Sequence, residues 1–220
     1  MPRLLRRAVM CGALMHLCPL AIATPPALVG DAGAGAYEAG RLDEAARLFE
    51  QAARAGNRLA QFNYAMMLFR GETASRDDHA AWRWLRRAAN AGLPQAQYHL
   101  ALLYDHGDAV ERSLPTAAEW YRRAAEQGHV EAQVSLAAMY AAGRGVQPDS
   151  ATAARWCLAA ASAGHAGAQR SLAEMYDTGS GVERNADLAA HWYREAAKQG
   201  DGAARAKVES RDANRDDATK

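Results

Sequence analysis

The sequence predicts an all-α fold, a right-handed α-α superhelical solenoid of about five helix-turn-helix repeats. Three observations predict it. A 36-residue pattern recurs without a gap at residues 57–92, 93–128, 129–164 and 165–200. Within each copy the apolar residues return at steps of three, four and seven, which is the helix period and not strand alternation. Glycines stand at two fixed columns of the copy, where helices must end. Self-similarity at this period means stacked supersecondary units, each too thin to bury its own apolar side.

Taken in order, residues 1–23 read as a secretory signal peptide. Arg3, Arg6 and Arg7 make a basic start, residues 8–20 are mostly apolar, and Ala21-Ile22-Ala23 has the small-x-small form of a cleavage site. The apolar run is shorter than the roughly 20 residues of a membrane span, and His16 and Pro19 interrupt it. The expected product, cut after Ala23, is periplasmic or secreted and keeps no stable membrane span. An uncleaved anchor is the competing reading. Cys11 and Cys18 follow Met10 and Leu17, not the small residue that lipidation wants. Cleavage takes the basic count from 26 to 23 against 25 acidic residues. That near balance argues against a nucleic-acid surface.

Residues 24–35 are rich in Pro, Gly and Ala and read as a linker or lead-in, with a short helix at 26–31. Residues 36–56 form a first hairpin around the short turn Gly40-Arg41-Leu42-Asp43. Each 36-residue unit then opens with a helix carrying Ala96-Gln97, Leu100-Ala101 and Leu103-Tyr104 or their equivalents. Gly71, Gly107, Gly143 and Gly179 end this helix. Six residues on stand Asp77, Ser113, Asp149 and Asn185, which differ in type but share the ability to cap a helix N-terminus. Val110, Val146 and Val182 tuck the linker in. The second helix carries Trp84, Trp120, Trp156 or Trp192 and, four residues on, an alanine pair. Small alanines let a neighbouring helix approach, and the indole fills the wider gap beside them. In the first hairpin Leu48 holds the tryptophan column. Residues 201–220 start in register with a new helix, expected over 203–208, and end in a polar tail expected to be disordered.

The pattern A-x-x-x-L-A-x-x-Y-x-x-G-x-G-V-x-x-[DN]-x-x-x-A-x-x-W-[YC]-x-x-A-A-x-x-G resembles the Sel1-like repeat, a relative of the tetratricopeptide repeats with a longer linker. Gly143-Arg144-Gly145-Val146 and Gly179-Ser180-Gly181-Val182 match it closely. The second unit has Ala109 for the second glycine, and the first has Gly71-Glu72-Thr73-Ala74. The hairpin at 36–56 looks more like an ordinary tetratricopeptide hairpin. The resemblance implies a protein-binding scaffold without naming a partner. A cysteine-rich branch of the family staples each hairpin with a disulfide and is associated with activity on penicillin-like compounds. This chain keeps only Cys157 after export, so it departs from that branch at every unit.

The chain holds no H-E-x-x-H, C-x-x-C, G-x-S-x-G or S-x-x-K. Gly143-x-Gly145 and Gly179-x-Gly181 follow helices and lack the Lys-Ser/Thr of a phosphate loop. His129 and His165 share one repeat column, too far apart for one metal, and turn chemistry explains them better. His99 and His106 lie two helical turns apart, again too far for one ion. No metal and no cofactor is therefore expected. Cys157 reads as a buried small apolar residue, with a redox-active thiol as the alternative. The leading reading is a non-enzymatic adaptor or regulator that binds a protein or peptide. The alternative is a cell-envelope enzyme, β-lactamase-like or glycan-acting. For glycan chemistry Glu174 and Asp177 are poorly arranged, since both sit on one helix.

In repeat stacks of this kind the first helix of each hairpin lines the concave side. Its variable columns give Phe62, Met66, Phe69 and Arg70, then Tyr98, Leu102, Asp105 and His106, then Val134, Ala138, Ala141 and Ala142, then Arg170, Glu174, Asp177 and Thr178. The surface runs from aromatic to small to charged. Phe62, Met66, Phe69, Tyr98, Leu102 and His106 are the candidate peptide-binding residues. Two readings stay open for them: an exposed groove, or core covered by the first hairpin or by residues 24–35.

Overall fold

A computed structural model describes residues 25–73 and 76–218, and only the backbone of 214–218. The expected signal peptide lies outside the described residues, as do Ala74 and Ser75 of the first unit's linker. Eleven helices and no strand are present among the described residues. They form five antiparallel hairpins in sequence: α1 (Pro26–Glu38) with α2 (Leu42–Arg54), α3 (Arg58–Arg70) with α4 (Asp78–Asn90), α5 (Pro94–His106) with α6 (Leu114–Glu126), α7 (Val130–Ala142) with α8 (Ser150–Ser162), and α9 (Ala166–Thr178) with α10 (Ala186–Lys198). A single helix, α11 (Gly202–Ala218), follows. Each helix packs mainly on its neighbours in the chain, so the molecule is an all-α repeat solenoid.

The core is a chain of five small clusters, one for each hairpin and its neighbour. At the centre of each hairpin lies the residue after the tryptophan column: Phe49, Leu85, Tyr121, Cys157 and Tyr193, none more than 4% exposed. The tryptophans have a different place. They are half-buried and join one cluster to the next. Trp84 packs on the first and second hairpins' clusters, Trp120 on the second and third, Trp156 on the third and fourth, and Trp192 on the fourth and fifth. The indole is therefore the seam between hairpins, and alanines on both sides let the helices close around it.

Residues 24–35 are not a linker over most of their length. Helix α1 starts at Pro26 and supplies the first arm of the first hairpin. Its glycines bring helices together. A Cβ on Gly33 would lie 2.8 Å from the ring of Phe49, so only glycine lets α1 close on α2 there. The side-chain amide of Asn57 also donates to the Pro26 carbonyl at 3.1 Å.

Capping follows the sequence with one exception. Asp77, Asp149 and Asn185 accept hydrogen bonds from the backbone of the next helix. Ser113 caps nothing, and its hydroxyl pairs with that of Thr116 at 2.8 Å. A second capping column opens the first helices. Asn57, His129, His165 and Asp201 each accept from the backbone N–H three residues on, the histidines through Nδ1. That is the turn chemistry of His129 and His165.

At the other end α11 runs on to Ala218, past residue 208 where the apolar pattern stops. Polar contacts hold the helix to the stack as far as Arg211. Arg170 pairs with Asp201 at 2.9 Å, and Arg211 pairs with Asp177 at 2.8 Å while lying over the Tyr193 ring. The expectation of a disordered end from about residue 211 missed this clamp, because Asp177 lies 34 positions away in the chain.

Candidate functional site: an apolar face on the first helices

Helix α3 places Phe62, Met66 and Phe69 along one side, and α5 places Leu102 and His106 opposite them. All but His106 are half-buried. Two concavities lie along these helices, the first bounded also by α1 and the second by α4. One, of about 220 Å³, is lined by Ala34, Tyr37, Phe49, Phe62, Met66 and His99, among others. The other, of about 270 Å³, is lined by Met66, Phe69, Leu85, Leu102, Leu103 and His106, among others. Met66 and His99 belong to both and form the divide between them. The first hairpin walls the first of them through Ala34 and Tyr37.

Tyr98 lies apart from these concavities. It stacks on His129 with ring centres 4.6 Å apart and touches Tyr121 at 5.8 Å, so it belongs to the seam between the second and third hairpins. Burial raises its phenol pKa, with the charge of Glu131 adding to the effect.

His99 is the residue that the column reading passed over as a site residue. Its ring lies 5.3 Å from Phe62 and 5.7 Å from Tyr98. Burial lowers its pKa, and the nearby charges of His129 and Arg70 act in the same direction. It is therefore held neutral near pH 7, as an apolar surface requires. The polar rim is built by Arg70, whose guanidinium donates to the Tyr37 hydroxyl at 3.1 Å, and by Glu72, which accepts from that hydroxyl.

Further along the stack the surface changes as its sequence does. Val134, Ala138, Ala141, Cys157 and Met175 line a smaller hollow of about 180 Å³. The Cys157 thiol donates to the Ala168 carbonyl at 3.2 Å, and burial pushes its pKa up to about 11. A thiol held protonated and bonded is a poor nucleophile. At the charged end Glu174 pairs with Arg170 and Asp177 with Arg211. These carboxylates are engaged in the stack.

The fold and this face define a class: a helical-repeat scaffold with a shallow apolar surface on its first helices. The Sel1 repeat matches residues 36–57, 58–93, 94–129, 130–165 and 166–201, and the chain belongs to the Sel1 repeat family. No curated protein matches it. Among solved structures it is similar to c5321, a protective antigen present in uropathogenic Escherichia coli strains and displaying an SLR fold. The identity is 31% and the TM-score 0.78, over 83% of this chain and 40% of that one. It is also similar to a Sel1 repeat protein from Oxalobacter formigenes, at 28% identity and TM-score 0.78, over 81% of this chain and 74% of that one. A Sel1 repeat protein from Klebsiella pneumoniae shares the fold at 20% identity and TM-score 0.51. No helix among the described residues is long and apolar enough to cross a membrane.

Proposed function

We propose that the chain is an exported, non-enzymatic adaptor or regulator that binds a segment of a partner protein on the first helices of its second and third hairpins. The observation that carries this reading is the pair of apolar concavities divided by Met66 and His99. Together they offer successive pockets for the apolar side chains of a helical or extended peptide. Methionine suits such a surface because its flexible, polarizable side chain adapts to different shapes. Export rests on the basic start, apolar run and small-x-small end of residues 1–23. The E. coli relative is a protective antigen, a property that fits a chain carried out of the cytoplasm.

A photo-reactive residue at position 63, at the rim of the first concavity, provides the test in whole cells. Asn63 lines that concavity but is not one of its apolar contacts. A partner captured there is expected to be lost about tenfold in Phe62→Ser and in Met66→Ser, the size of loss when an interface anchor is truncated. If capture persists while the melting midpoint falls, these side chains are core and the groove is not a binding site.

A further inference from the structure

We propose that the groove between α2 and α4 is a second binding site, on the opposite side of the stack, for an acidic segment of a protein chain. Tyr64 and Leu68 form its floor. Each lies two residues beyond Phe62 or Met66 on α3, a turn of roughly 200°, so they leave the helix on the side away from the first-helix face. Trp84 completes the floor, and its ring meets Tyr64 edge-on at 6.0 Å. The groove measures about 700 Å³.

Its walls carry Arg47, Arg54, Arg83 and Arg87 against Asp43, Glu50 and Asp77. The charges do not cancel internally. Glu50 is held by Arg54 at 2.6 Å. Asp77 caps α4. Among the described residues Arg47 bonds only the Asp43 backbone carbonyl, at 3.3 Å. Arg87 lies over the face of Trp84 at 4.6 Å. Arg83 makes no hydrogen bond or ion pair among the described residues. Among the described residues, three guanidiniums therefore keep free N–H donors around one groove, with Asp43 as the only unpaired carboxylate among them.

The sequence of α4 causes this. Arg83 and Arg87 have His79, Ala80, Trp84, Arg86, Asn90, Ala91 and each other at the helical neighbour positions, and no acid. In α6 the equivalent surface is neutralised, since Arg122 and Arg123 pair with Glu119 and Glu126. The next seam is also filled, because Trp82 stands in the column that Ala46 holds here. The open, arginine-walled groove thus sets the first seam apart from the second. Its complement is a peptide whose carboxylates reach Arg47, Arg83 and Arg87, with an apolar side chain on Tyr64, Leu68 and Trp84.

The test is fluorescence anisotropy of a labelled glutamate-rich peptide carrying one leucine, titrated with the whole chain. Saturable binding that weakens with added salt is expected. Arg83→Gln and Arg47→Gln each weaken it about tenfold, the loss of a charge-assisted hydrogen bond. Asp43→Asn tightens it about threefold by removing an opposing charge. Arg194→Gln, on the exposed face of α10, leaves it unchanged. Three outcomes overturn the proposal: no saturable binding, equal binding of the glutamine version of the peptide, or an equal loss in Arg194→Gln.

Discussion

Four glutamines share one column of the repeat. Gln61, Gln97, Gln133 and Gln169 are buried, and each side-chain amide donates to a carbonyl at the end of the preceding helix: Ala53, Ala89, Ala125 and Ala161. Those carbonyls lie in the last turn, beyond the regular helical ladder, and the glutamine adds a second donor to the one supplied by the closing glycine N–H. The glutamine oxygens are treated unequally. Gln97 and Gln169 accept from Gln127 and Gln199 at 2.7 and 2.8 Å. In the other two units the donor's place is taken by Ala91 and Ala163, and the oxygens of Gln61 and Gln133 have no partner among the described residues. Ala163→Gln restores the donor at an exposed position with the same backbone shape. It is expected to raise stability by about 0.5–1.5 kcal/mol, the net value of one hydrogen bond. Urea unfolding checks this, and a midpoint that does not rise contradicts it. The column is visible in the sequence beside its alanine, but its role is not, because a polar residue inside an apolar pattern does not announce the carbonyl it serves. His99 was missed for a similar reason. It stands in none of the columns singled out, and its contact with Phe62 is made across to the preceding hairpin, 37 positions away in the chain.

At the scale of the element, the linkers hold each hairpin to the one before. Gly181, at φ +72°, presses on the start of α8, where a Cβ would overlap the Ser150 carbonyl. Gly145 makes the same approach to Leu114. Ala109 occupies this column in the second unit and keeps φ +59°, a conformation that costs an L-residue about 1–2 kcal/mol. Gly181→Ala should destabilise by at least about 2 kcal/mol, from strain and overlap together. Ala109→Gly should stabilise by up to about 1 kcal/mol. Thermal denaturation of both variants gives the comparison, and the same sign for both would refute this account of the linker. The repeated helices were legible because period, cap and glycine agree in each copy. The two ends were less so. Helix α1 hides behind glycines that permit close packing and look like a flexible lead-in. Arg211 holds α11 to the stack by meeting a distant aspartate, which no local pattern records.

Over the whole molecule, neither proposed surface belongs to a single hairpin. The apolar face needs α1, α3 and α5 side by side, and the arginine groove needs α2 against α4. Both exist only while hairpins stack, and the tryptophan column is what couples one hairpin's core to the next. Trp120 is the central case, since it packs on the clusters of both the second and third hairpins. Replacing it with alanine should cost about 3 kcal/mol in lost packing. Because stability in such a stack is a sum of units and interfaces, the loss should also part the two halves of the chain. Urea unfolding of Trp120→Ala, followed by circular dichroism at the helix band, tests this most directly. The account predicts a lowered, broadened or two-step transition. One sharp transition at the unaltered midpoint would contradict it.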